Sequence, residues 1–145
     1  MFRGNHPARI DEKGRLKVPA EFKRWIEEKH GSQFFITSKN GERAEIYPMK
    51  EWERIEEELI NSPSGDEKDA LLNWVNYYGQ VVEMDSQGRL LIPQQLREKA
   101  DLKGDVAVMG QQNKLIVMNE KRLLDKMESR PVTGADLNVL NIRSL

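Results

Sequence analysis

The chain has no cysteine, which excludes disulfides and thiolate metal sites and leaves packing as the means of holding a fold together. No apolar run approaches the ~20 residues that a membrane-spanning helix needs. Met1 leads into a charged, proline-interrupted segment without a signal-peptide pattern. There is no glycine-rich phosphate loop and no metal-ligating cluster, and the two histidines, His6 and His30, stand alone. Adjacent acids such as Glu27-Glu28 and Glu56-Glu57-Glu58 are most simply the solvated faces of helices. These absences give catalysis little support. The expectation is a non-enzyme without cofactor, metal or evident small-molecule substrate, located in the cytoplasm and not in a membrane.

What the chain does have is repetition. Residues 11–19 read DEKGRLKVP and residues 85–93 read DSQGRLLIP, two copies of Asp-x-x-Gly-Arg-Leu-x-(Val/Ile)-Pro lying about half of the 145 residues apart. The echo continues: Phe22 and Lys23 answer to Leu96 and Arg97, Phe34-Phe35-Ile36 to Val106-Ala107-Val108, and Glu45-Ile46-Tyr47 to Ile116-Val117-Met118. Two copies are too few for a solenoid. A unit of about 70 residues buries limited apolar surface, so without cysteines each half must pack on the other. The expected organisation is a first repeat over 1–60, a connecting loop and helix over 61–76, a second repeat over 77–130 and a tail over 131–145.

Each half reads strand, turn, strand, helix, strand, strand, helix. The first strand spans about 2–10, with Pro7 pointing to an edge or a bulge because it lacks a donor. Asp11 can accept from amides two or three residues on, and Gly14 can take the positive φ that closes a turn. Residues 15–18 return as a strand, and Pro19 suits the start of a helix that ends near His30-Gly31. A hairpin follows over 33–37 and 44–47, with Asn40-Gly41 as a tight-turn signal. Pro48 opens a second helix whose spacing is given by Met49, Trp52, Ile55, Glu56 and Leu59, three of the apolar residues lying on a narrow stripe with an acidic outer face. Asp66 is read as the cap of a helix to about Asn76 that buries Leu71, Leu72, Trp74 and Val75. The second half repeats the plan, with Leu96 and Ala100 inward, strands near 105–109 and 114–118, and a last helix over 119–129. Beyond Arg130-Pro131 periodicity fades, and a tail is expected that orders only against a neighbour.

The net charge of −1 hides a polarity. Residues 1–24 hold seven basic against three acidic side chains, whereas residues 41–72 hold four against ten. A basic face of this kind suits phosphates. Asp11 and Arg15, like Asp85 and Arg89, could form no more than a surface ion pair worth little. Duplication and the basic surroundings argue for more. The aspartate shapes the turn and orients the arginine, whose planar fork suits guanine edges. The candidate DNA-binding residues are Arg3, Lys13, Arg15, Lys17 and Arg89, with Asp11, Gly14, Asp85 and Gly88 shaping the turns. The first turn, in the more basic segment, is expected to make the principal contact.

The run from Ile10 to Pro19 resembles the swapped-hairpin DNA-binding domain of AbrB-like transition-state regulators. Its duplication, with Met1-Phe2-Arg3-Gly4 and with Glu45-Ile46-Tyr47-Pro48 followed by Glu51-Trp52, resembles the MraZ family. That resemblance implies an α+β fold of tandem AbrB-like swapped-hairpin units forming an intramolecular pseudo-dimer, a small β-barrel-like core with flanking helices. It implies a transcriptional regulator that binds short repeats in double-stranded DNA at the promoter of its own division and cell-wall gene cluster, as a ring-shaped homo-oligomer associated with the nucleoid. In such proteins the motif arginines, here Arg15 and Arg89, face DNA. The rivals are an antitoxin-like interaction module and an assembly scaffold without a specific DNA site.

Overall fold

The computed structural model describes residues 1–29 and 31–145. Among these residues the chain forms β1 (Asn5–Ile10), β2 (Arg15–Lys17), α1 (Ala20–Lys29), β3 (Gln33–Thr37), β4 (Ala44–Pro48), α2 (Met49–Ile60), α3 (Asp66–Tyr77), β5 (Gln80–Glu83), β6 (Arg89–Leu91), α4 (Gln94–Ala100), β7 (Gly104–Gln111), β8 (Lys114–Asn119), α5 (Glu120–Ser129) and α6 (Gly134–Leu140). The class is α+β. The strands make one antiparallel sheet in the order β5-β3-β4-β8-β7-β1-β2-β6, whose end strands β5 and β6 approach each other, so the sheet curls into a nearly closed barrel.

The strand pairing joins the halves more than it separates them. β1 pairs with β7, β2 with β6, β3 with β5 and β4 with β8, and each of these ladders crosses from one half to the other. Exchanging every strand for its repeat counterpart gives the same ring read backwards. A pseudo-twofold therefore passes through the Leu16–Leu90 pair of the β2/β6 ribbon and, across the barrel, through the Glu45–Ile116 pair of β4/β8. This is the intramolecular dimer that the repeat implies.

Strand alternation fills the barrel. Leu16, Phe34, Ile36, Ile46, Leu90, Val106, Val108, Leu115 and Val117 point inward with Ile26, Leu96 and Leu102 from the α1 and α4 regions, nearly all of them fully buried. Each such aliphatic or aromatic side chain contributes roughly 1.5–3 kcal/mol on burial. On the outer face of β3/β4, a smaller core forms where Trp52 of α2 stacks on Phe35, ring centroids 4.4 Å apart, and tilts against Tyr47, with Val75 of α3 alongside. Beside it Glu45, 1% exposed, lies 2.8 Å from Lys39 Nζ, 3.2 Å from Lys114 Nζ and 3.9 Å from Arg43 Nη2. Burial alone would raise the Glu45 carboxyl, but Lys39 and Lys114 bring it below its ordinary value. Burial, with Glu45 adding, pushes the Tyr47 hydroxyl up.

Several sequence expectations change. The first strand starts at Asn5, Phe2 making only an isolated bridge to Gln112. Pro7 has a ladder partner on the β7 side alone, because β1 and β2 pair only at Ile10 and Leu16, so its missing donor costs no bond across to β2. The helix end expected at His30 lies outside the described residues. Asn40-Gly41 does not close a two-residue turn. Residues 38–43 form a longer loop in which Ser38 Oγ accepts from Gly41 N and Asn40 Oδ1 from Glu42 N, side chains replacing ladder bonds. Gly65 precedes α3 and Asp66 makes no capping bond; it lies in the first turn, where an acid suits the helix dipole. Of the four apolar residues assigned to the buried face of α3, only Val75 is buried, while Leu71 and Trp74 are exposed. The tail is not formless, since α6 is capped at both ends by its own sequence.

Candidate nucleic-acid interface

The repeated motif folds into two turns with the same bonds. In the first, Asp11 Oδ1 accepts from Lys13 N (3.0 Å) and Arg15 N (2.8 Å), and Oδ2 accepts from Arg15 Nε (2.8 Å). In the second, Asp85 Oδ1 accepts from Gln87 N and Arg89 N (both 2.9 Å), and Oδ2 from Arg89 Nε (2.8 Å). The main chain closes each turn in the same way, Gly14 N donating to Asp11 O and Gly88 N to Asp85 O. Both glycines have positive φ, 83° and 75°. In each motif the aspartate is thus the acceptor around which the turn closes, and the glycine supplies the backbone state that a side chain resists.

Neither turn is independent of the other half. Val18 N donates to Gly88 O and Ile92 N to Gly14 O, a reciprocal exchange that extends the β2/β6 ladder into both turns. A Cβ on Gly14 would stand 2.3 Å from Cζ of Arg97, and one on Gly88 would stand 3.0 Å from Cδ of Lys23. The α4 cation therefore lies over the first-half turn and the α1 cation over the second-half turn. Arg97 is fixed there by its Nε donating to Ile92 O. The repeat pairs Lys23 with Arg97, yet neither stands inside the Asp-x-x-Gly-Arg turn itself. Their shared position, four residues after the motif proline, was the available signal; that each packs on the opposite turn is a property of the swapped pairing.

Register decides which side chains share the surface. Leu16 and Leu90 face inward and are fully buried, so Arg15, Lys17, Arg89 and Leu91 share the outer face of the ribbon, with Arg15 beside Leu91 and Lys17 beside Arg89. Arg15 and Arg89 sit on a diagonal, two residue steps or roughly 7 Å apart along the ribbon. Each arginine side chain is a quarter to a third exposed. Because the aspartates engage only Nε, the Nη1 and Nη2 nitrogens have no partner among the described residues. Among the described residues the guanidinium forks are held at the base and open at the tip.

Both carboxyls are held below the usual aspartate value, by the amide of the motif arginine first and then, against some desolvation, by its side chain. They remain charged at neutral pH and offset part of the arginine charge. The turns differ in their neighbours: Glu12, Lys13 and Lys17 of the first are Ser86, Gln87 and Leu91 in the second. Lys13 and Lys17 are exposed close to the first turn, whereas Arg3 lies at the other end of β1, roughly 20 Å away. The fold unites Lys13, Arg15, Lys17 and Arg89 and leaves Arg3 apart. His6, on β1, lies 3.2 Å from Glu21 and packs edge-to-face on Phe22. Among the described residues there is no group of three or more potential metal ligands, and no helix is long and apolar enough to cross a membrane.

The chain is matched over residues 1–73 and 79–126 by the family model for the MraZ protein, described as antitoxin-like. A protein of Acidobacterium capsulatum called transcriptional regulator MraZ is 57% identical over 141 residues, covering 97% of both chains. One of the same name from Koribacter versatilis is 57% identical over 143 residues, again covering 97% of both. A more distant relative of that name, from Neisseria meningitidis, is 32% identical over 117 residues, 79% of this chain and 78% of its own. With its duplicated turn, its interleaved barrel and these relatives, the chain belongs to the MraZ family.

Proposed function

We propose that the chain is a sequence-specific DNA-binding transcriptional regulator that sets the β2/β6 ribbon against the major groove. The observation that carries this reading is the pair of arginine forks on one ribbon face, each anchored by Nε and open at both Nη nitrogens. A two-stranded β-ribbon fits the major groove, and an open guanidinium fork matches the O6 and N7 acceptors of guanine. Lys13 and Lys17 suit flanking phosphates, Lys23 and Arg97 add positive potential over the turns, and Arg3 is left to a phosphate away from the ribbon. The naming of the relatives as transcriptional regulators supports the same reading.

The wider proposal is a ring-shaped homo-oligomer, associated with the nucleoid in the cytoplasm, that reads short repeats in the promoter of its own gene cluster. Linked ribbons raise the effective concentration of each next contact, so weak sites are read together. Protection mapping on the DNA upstream of the gene tests this directly. Short protected repeats are expected, and affinity should rise from one repeat to two to three; equal affinity for all three would sink the array reading. The competing reading, an interaction module without a specific site, is favoured by the exposed apolar face of α3. Salt titration separates them, because specific DNA binding weakens steeply with ionic strength while keeping its preference for a site.

A further inference from the structure

The C-terminal segment contains a helix that is completed at both ends yet packs against nothing large. At its start Thr133 Oγ1 accepts from Asp136 N while Asp136 accepts from Thr133 N, a reciprocal capping box, and Arg130 grips both Asp136 oxygens at 2.8 and 2.6 Å. At its end Ile142 N donates to Leu137 O and Asn141 N to Asn138 O, with Asn141 at φ 56°. That is a full Schellman arrangement, and it draws Ile142 towards Leu137. A seven-residue helix is marginal in water, so local capping is what holds it. Most of its apolar surface is not covered: Val139 is 86% exposed and Leu140 64%, with Ile142 also open, while Leu137 is half-buried. Preorganising a segment in this way lowers the ordering cost of binding.

Elsewhere on the same chain a groove is equally uncovered. It lies between α2 and α3, about 450 Å³ in volume, with a floor of Phe35, Met49, Trp52, Leu59, Leu72 and Val75 and with Ile60 exposed at its lip. Glu56 and Lys68 stand on its rim, and the two helices that form it, α2 and α3, carry eight acidic against three basic side chains, so the field around the groove is acidic. The tail brings the opposite charge: Asp136 is already taken by Arg130, which leaves Arg143 uncompensated. α3 and α6 follow α2 and α5 at equivalent points of the two halves, yet only α3 folds back to make a groove with its predecessor.

We infer that the segment 134–145 of one copy docks in the α2/α3 groove of a second copy, Leu137, Val139, Leu140 and Ile142 supplying the apolar face and Arg143 meeting the acidic field of α2 and α3. Such a contact is heterologous: tail meets groove, and each copy keeps a free groove and a free tail for further copies. It closes into a ring when the rotation per step divides a full turn. The inference rests on the self-assembly part of the proposed function and names the surfaces that carry it.

The absence of cysteine permits a clean test. Protein carrying only Ile60→Cys is mixed with protein carrying only Val139→Cys and oxidised, and the cross-linked species are identified on non-reducing gels with peptide mass spectrometry. The 60–139 hetero-link is expected to exceed by about tenfold the yield from a control pairing of Ile60→Cys with Lys121→Cys; equal yields overturn the inference. In parallel, Val139→Asp/Ile142→Asp is compared with the unaltered chain by light scattering and circular dichroism. The unaltered chain is expected to be an oligomer and the variant to lose mass with its fold intact, because the changed side chains are exposed. Retained mass overturns tail docking while leaving self-assembly standing. A monomeric unaltered chain overturns both, and DNA binding, measured on the same samples, reports separately on the ribbon.

Discussion

Arg15 and Arg89 are each committed at Nε to a carboxylate and open at the tip. Arg15→Ala should therefore weaken binding to the operator roughly 10- to 100-fold, the worth of one bidentate base contact, without changing assembly mass; unaltered binding in a gel-shift titration would return Arg15 to a surface ion pair. Because the two turns have the same hydrogen bonds, Arg89→Ala should also weaken binding, and the ratio of the two effects measures what Lys13 and Lys17 add. The aspartates make a separate prediction about pH. Their folded values are depressed, so their stabilisation is full above the unfolded value of about 3.9 and is lost as pH falls through the folded value. Between pH 5 and 7 neither turn should change, and carboxyl chemical shifts would reveal any titration in that window. Glu45 carries a larger structural load, since removing its charge leaves Lys39, Arg43 and Lys114 clustered without a counterion. Glu45→Gln should cost roughly 3 kcal/mol, the lower end for a broken buried pair because Lys39 is half-exposed. Urea unfolding measures it, and a loss well below 1 kcal/mol would mean that the cluster relaxes into solvent.

At the scale of elements, α2 and α6 depend on different things. The one buried side chain of α2, Trp52, is wedged against Phe35 and Tyr47 with Met49 and Ile55 packed beside it, so Trp52→Ala should cost about 3–5 kcal/mol of global stability and open the groove that α2 shares with α3. α6 is held by its caps. Thr133→Ala should remove about 1 kcal/mol of local helix stability and raise amide exchange over 134–140, leaving the global unfolding midpoint unchanged; a shifted midpoint would reveal packing of α6 on the barrel. The capping signals of α6 are legible in the sequence: Thr133 followed three residues later by Asp136 is a capping-box pattern, although no long apolar period follows it to mark a helix. The exposure of Leu71 and Trp74 was not legible in the same way. Their helical spacing marks an apolar stripe, but the stripe does not say whether its partner lies in the same chain.

For the molecule as a whole, the four ladders that join the halves make each half dependent on the other. A fragment of residues 1–78 should not fold as a monomer, and mixing it with residues 79–145 should restore the circular dichroism of the intact chain; a folded monomeric half would contradict the interleaved sheet. The sequence by itself determined the duplication, the two Asp-Arg turns and most strand and helix positions, because these follow from short-range chemistry: an aspartate accepting nearby amides, a glycine at positive φ, a proline before a helix, a period of two or of 3.6. Only the tertiary structure decided that each turn is completed by the other half, through Gly14 and Ile92 and through Gly88 and Val18, and that Arg97 and Lys23 lie over the opposite turns. Those contacts join residues more than 60 positions apart. A repeat shows that two halves are alike, but register and strand exchange are set by packing both hydrophobic faces into one barrel, and that choice put both arginines on a single ribbon.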